Sequence, residues 1–194
     1  MAVFFFTGFV LQGIGGVAAV HMKDIGLSDG YIANVLSIAA LSLTLFKFLT
    51  GYIYDRFGLR VTMTVCSIAA VVSMTALASI TNSLFGQVLA MLYGVLSSLA
   101  LPLETIMLPI YTGDLFGQRS YDKVLGIVVS VNVSGYAIGG PLVNVVFDLT
   151  GSYMPALLGC AVIMVGVFIT MHFVISSANR MKRSIIENQQ EVLA

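Results

Sequence analysis

Two charged side chains, Lys47 and Glu104, stand inside long apolar stretches of this chain. A buried charge is costly unless water or an opposite charge compensates it, so each marks a place where chemistry is expected. An ammonium group offers a site for an anion, and a carboxylate offers a site for a proton. Gln12, Asn34, Asn132, Ser134 and Tyr136 add uncharged polar groups within similar apolar runs. Such groups either contact a solute or bond a neighbouring helix, and the second is the default for any one of them. No Ser/His pair, paired aspartates or His-Glu-x-x-His pattern suggests catalysis, so no enzyme is expected. Cys66 and Cys160 have neither CxxC spacing nor a histidine cluster around them. Neither a metal site, a disulfide nor a cofactor is expected.

The elements that must position these residues follow from composition. The chain is 58% hydrophobic and 9% charged, against about 25% charged in an ordinary soluble domain. Nine basic and nine acidic residues cannot cover a chain of 194 residues with a polar exterior. A lipid bilayer must cover the rest. With a net charge of zero there is no basic surface for nucleic acid. No basic stretch precedes the first apolar run, so that run is read as a retained helix and not as a signal peptide.

An apolar core of about 30 Å needs roughly 20 helical residues. Stretches of that length recur over residues 2–22, 31–54, 61–80, 84–112, 124–147 and 153–176. The expected fold is therefore an all-α membrane protein of six transmembrane helices. Residues 1–176 form the transmembrane domain, and 177–194 form a basic cytoplasmic tail. Arg56, Arg60, Arg119 and Lys123 share one face with the tail's Arg180, Lys182 and Arg183, while the opposite loops hold only Lys23 beside Asp24 and Asp29. The bias of basic residues toward the cytoplasm places both termini inside. The expected location is the plasma, or inner, membrane. Asp55-x-x-Gly58 matches Asp148-x-x-Gly151, and Gly26 matches Gly117, at an offset of about 92 residues. Three helices per copy is an odd number, so these matches predict two inverted three-helix repeats, an architecture of transporters.

The loop Gly51-Tyr52-Ile53-Tyr54-Asp55-Arg56-Phe57-Gly58-Leu59-Arg60 resembles the major facilitator signature Gly-x-x-x-Asp-Arg-x-Gly-Arg-Arg. Leu59 replaces the first of the two closing basic residues. In this gating motif Gly51 is expected to admit a neighbouring helix, Gly58 to permit a tight turn, and Asp55 to accept hydrogen bonds from a helix N-terminus. Arg56 and Arg60 suit gating ion pairs. The resemblance implies a secondary transporter. Complete members have twelve helices in two halves, so the expected partner is a missing six-helix half or a second copy. The turn Phe147–Tyr153 and the basic tail look like those of a C-terminal half, the alternative being an N-terminal half whose tail begins the central cytoplasmic loop.

Leu36 to Leu41, Lys47 and Gly51 together resemble helix eight of monocarboxylate porters and oxalate/formate antiporters. There a basic residue at the position of Lys47 binds the substrate carboxylate. Lys47 lies about eight residues, or roughly 12 Å, from the end of its helix, where a lysine costs about 2.5–3.5 kcal/mol on insertion scales. Glu104 falls at nearly the same depth, and the family arrangement puts both helices beside the cavity. Glu104 is therefore expected to be the proton-coupling group. The antiporters use a second basic residue in helix eleven, where this chain has Ser134-Gly135. That implies carriage of a small organic anion, a monocarboxylate; Glu104 is also expected to meet Lys47 when ionised and to release it when protonated, which implies proton symport. The alternative left open is a six-helix scaffold or subunit without transport.

Overall fold

The computed structural model describes residues 1–117 and 120–193, without the side chains of residues 12, 115, 116, 178, 179 and 181–193. It is all-helical. In chain order the elements are α1 (Ala2–Asp24), α2 (Asp29–Ala78), α3 (Leu84–Ala100), α4 (Pro102–Thr105), α5 (Met107–Phe116), α6 (Tyr121–Thr150) and α7 (Met154–Leu193). Five helical stretches among the described residues are long and apolar enough to cross a membrane. Ser28 and Ser83 start α2 and α3 by accepting from the backbone N–H of Tyr31 and Gly86, satisfying donors that the first helical turn leaves free.

The stretches expected at 31–54 and 61–80 follow one another without a loop as the two halves of α2, on either side of Gly58. The chain doubles back at Gly58, whose φ of 77° and ψ of 176° are non-helical and open to glycine alone at low cost. Thr50 and Cys66, equally far on either side of Gly58, meet side chain to side chain. On a straight helix they would stand about 24 Å apart. The stretch expected at 84–112 is instead three pieces, α3, α4 and α5, with breaks at Leu101 and Ile106. Pro102 causes the first break, because it has no N–H for the preceding turn. Pro141, by contrast, sits inside an unbroken α6. The last helix does not stop near residue 176, since α7 continues to Leu193.

The helices pair in a definite order: α1 packs most extensively on α6, and α2 on α3 and α7. The α1–α6 seam is very close. A Cβ added at Gly8 would lie 2.1 Å from the Asn132 carbonyl oxygen, and one at Gly135 would lie 2.0 Å from that of Phe5. Lipid is as apolar as leucine, so helices in a membrane associate through such close van der Waals approach and through polar bonds. The core is continuous, running from Val10, Ile14 and Met22 of α1 through Met74 and Leu77 to Met107, Leu157 and Met164.

Candidate functional site

Lys47 lies on the outward face of the first half of α2. Ala33, Ser37, Ala40 and Thr44 precede it at intervals of three and four residues, and all five are exposed. Among the described residues the ion pair is Lys23–Asp29, at 3.1 Å and open to solvent. Lys47 and Glu104 therefore do not form one in this structure. Glu104 is half-buried within α4, the four-residue piece between the two breaks.

The uncharged polar residues divide. Asn132 is buried in the α1–α6 seam, and its Nδ2 donates to the Phe4 carbonyl at 3.1 Å. Its amide thus ties two helices together, the default use for such a group. Asn34, Ser134 and Tyr136 are exposed. The Ser134 hydroxyl donates to Ser130 O at 2.8 Å within its own helix, which leaves its oxygen able to accept. The side chain of Gln12 and all of Arg119 lie outside the described residues.

The loop motif is met in part. Gly58 makes the expected turn. Gly51 does not admit a neighbouring helix: nothing lies within 4 Å of where its Cβ would be. Asp55 and Arg56 are exposed, and among the described residues neither makes a side-chain hydrogen bond. The contact between helices is made one residue earlier, where the Tyr54 hydroxyl donates to Asp114 Oδ2 at 3.1 Å. Arg60 donates to the Ser176 hydroxyl of α7. At the opposite end of the bundle His21 Nε2 donates to the Leu77 carbonyl at 3.0 Å. The Tyr31 hydroxyl there donates to the Gln87 carbonyl at 2.7 Å. Tyr153 stacks on Phe147 at that end, with ring centroids 4.3 Å apart. Burial, helped by the Asp24 and Asp148 carboxylates, pushes its hydroxyl pKa up, so it stays protonated and donates to Asn144 Oδ1 at 3.2 Å.

A cavity of about 290 Å³ opens between α1, α3 and the second half of α2. Its polar wall is Ser73, Tyr93 and Ser97, and Leu11, Ile14 and Leu101 are among the apolar residues facing them. The sequence reading missed these three hydroxyls. Tyr93 and Ser97 stand four residues apart on one helix, which puts them on one face, and that spacing could have found them. Ser73 came close only through the doubling back of α2, which no local pattern announces.

A family profile described as Major Facilitator Superfamily matches residues 1–192. Two curated relatives, the Monocarboxylate transporter 12 of Rattus norvegicus and that of Mus musculus, are each 32% identical over 78 residues. That stretch is 40% of this chain and 16% of either relative. The matched family is one of transporters and not of enzymes, and its long apolar helices make this a multi-pass integral membrane protein. With a match across nearly its whole length, the chain belongs to the major facilitator superfamily.

Proposed function

We propose that this chain is a six-helix half of a secondary carrier that moves a small monocarboxylate by alternating access, together with a proton. The observation that carries the reading is Lys47, an exposed ammonium without an ion pair among the described residues, on a helix face otherwise without charge at mid-depth. Such a charge is rarely kept at that depth without a solute or a watery path to face. The partial likeness to proteins named monocarboxylate transporters supports the anion class.

Six crossings are the natural division of these helices. At 1.5 Å per residue α2 would be about 75 Å long, more than twice the apolar core, so it crosses twice and turns at Gly58. The inverted repeat is supported by the pairing of α1 with α6 and of α2 with α3. A two-fold operation that exchanges the first three crossings with the last three turns one pair into the other. The four glycines of positive φ, Gly26, Gly58, Gly117 and Gly151, fall into two pairs about 92 residues apart. The Ser98 hydroxyl bonds Ala39 O in one pair, close to the position that answers Gly8 against Asn132 O in the other. The basic ends of the bundle then face the cytoplasm, with both termini inside and residues 177–194 as the tail. The other half of the carrier, or a second copy, closes the cavity.

Lys47 takes the carboxylate, with Asn34, Ser134 and Tyr136 on the exposed faces and Gln12 from α1. Asn132 acts only through the seam it holds. Glu104 takes the coupling proton, so that proton and anion enter together. A monoanion suits a single lysine, since a dianion would leave one carboxylate uncompensated in a low-dielectric site. The test is uptake of labelled lactate into liposomes containing the full protein, under an imposed pH gradient. Glu104→Gln is expected to keep lactate exchange and to lose the pH dependence of net uptake. Unchanged pH dependence would remove Glu104 from the mechanism. Tight oxalate binding without lactate competition would refute the substrate class.

A further inference from the structure

A proton that reaches Glu104 from the outer side must cross low-dielectric protein, and one cavity among the described residues offers a way. The cavity between α1, α3 and the second half of α2 lies on the outer side of Glu104. Tyr93 and Ser97 are roughly 13–20 Å along α3 from its outer start at Leu84, and Ser73 lies toward the outer end of its own helix. Its deepest residues are Ala100 and Leu101. Glu104 follows Leu101 by three positions and donates its backbone N–H to Leu101 O at 3.1 Å. Side chains three apart on a helical turn stand about 5–6 Å from each other.

At about 290 Å³ the cavity has room for several waters of about 30 Å³ each. A buried water also needs two to four polar partners. The Ser73 hydroxyl donates to Ala70 O at 2.8 Å and the Ser97 hydroxyl to Gly94 O at 3.1 Å. The Ser73 oxygen therefore keeps lone pairs that accept from water, and the Ser97 and Tyr93 hydroxyls, which bond each other on the same wall, keep one further acceptor site for it.

We infer that this cavity is a water-filled inlet that carries protons from the outer side to Glu104, with the hydroxyls of Ser73, Tyr93 and Ser97 ordering the water. The inference rests on the reading of Glu104 as the coupling group. In the terminal step an O–H bond of a hydronium ion in the cavity breaks and a new one forms on a Glu104 carboxylate oxygen, which leaves water behind. Lys47 on α2 is the other charge at this depth. Residues 2–20 of α1, 61–78 of α2 and 124–147 of α6 contribute no titratable acid or base apart from the Cys66 thiol and Tyr136, both neutral near pH 7. Beyond those ranges, His21 and Asp24 stand at the outer end of α1, past the cavity-lining Gly15.

The experiment uses the full protein in liposomes. Its carboxylic C=O infrared band is followed after rapid acidification of the outside, with Glu104→Gln assigning the band. Ser97→Leu fills the cavity, and Ser97→Ala removes the hydroxyl without filling it. The band is expected to rise at least tenfold more slowly in Ser97→Leu, and to rise within about threefold of the parent rate in Ser97→Ala. In a background lacking Cys66 and Cys160, a membrane-impermeant thiol reagent added outside is expected to label Ser97→Cys, which also checks that the variant is folded and wet. Parental kinetics in Ser97→Leu, or no outside labelling of Ser97→Cys, would overturn the inlet while leaving Glu104 in place. A band that persists in Glu104→Gln would refute the coupling group itself, and the inlet with it.

Discussion

Along the α1–α6 seam, Gly8, Gly13, Gly135 and Gly139 bring two backbones to within the space a single methyl group would need. Along the first half of α2, Ala33, Ser37, Ala40, Thr44 and Lys47 follow a similar helical spacing, yet every one is exposed. Apart from Lys47, both stripes are built of small residues. What separates them is what stands opposite. The seam has a partner helix in the same bundle and carries stability, whereas the α2 face has none among the described residues and carries a charge. Small residues thus serve close packing in one region and leave room around Lys47 in the other.

The largest expected effect is in the seam. Gly8→Val forces its Cβ against Asn132 O and should cost about 3 kcal/mol or more, read as a fall in the thermal midpoint of the purified protein in detergent. Gly15, on the same helix, has nothing within 4 Å of its Cβ position. There, alanine should be neutral or stabilise by up to about 1 kcal/mol. Equal losses at both positions would erase the distinction between seam and open face. Next in size is Gly58→Val, where a branched side chain must adopt φ of 77°. It should lose about 1–2 kcal/mol, and an unchanged midpoint would mean that the turn between the halves of α2 can be made without a positive φ.

Asn132 and Asn34 are the same residue type in the two environments. Asn132→Ala removes a buried bond to Phe4 O and should cost about 1 kcal/mol. Asn34→Ala, on the exposed face, should stay within about 0.5 kcal/mol of the parent. The smallest effect is expected at Ser134, whose hydroxyl already donates within its own helix. Ser134→Ala should leave stability unchanged within about 0.5 kcal/mol and weaken lactate binding by no more than about threefold. A larger loss would make that serine a principal substrate contact.

Much of this was legible in the sequence, because hydrocarbon permits few solutions. Apolar runs separated by Gly58, Asn82, Gly117 and Gly151 led to a helical membrane protein, and Asp55-Arg56-Phe57-Gly58 led to the superfamily. The turn at Gly58 was legible, since Asp55, Arg56 and Arg60 surround it with charge. The break at Leu101 is signalled by Pro102, but the unbroken path of α6 through Pro141 shows that proline alone does not decide. Within the site, Lys47 declared itself by cost. The different uses of Asn34 and Asn132 depend on which helix lies alongside, and Gly51 looked like a close-packing glycine until the structure left it open. The cavity wall of Ser73, Tyr93 and Ser97 joins residues on two elements that only tertiary packing brings together.

Binding of lactate to the full protein carrying Lys47→Gln, Lys47→Arg or the native lysine, followed by calorimetry beside each variant's thermal midpoint, tests the central claim most directly. Lys47→Gln should lose binding by at least a hundredfold, about 2.7 kcal/mol, with a midpoint equal to the parent's, and Lys47→Arg should retain binding within about tenfold. Parental lactate affinity in a folded Lys47→Gln protein would contradict the account, because the exposed ammonium on α2 would then have no part in holding the anion.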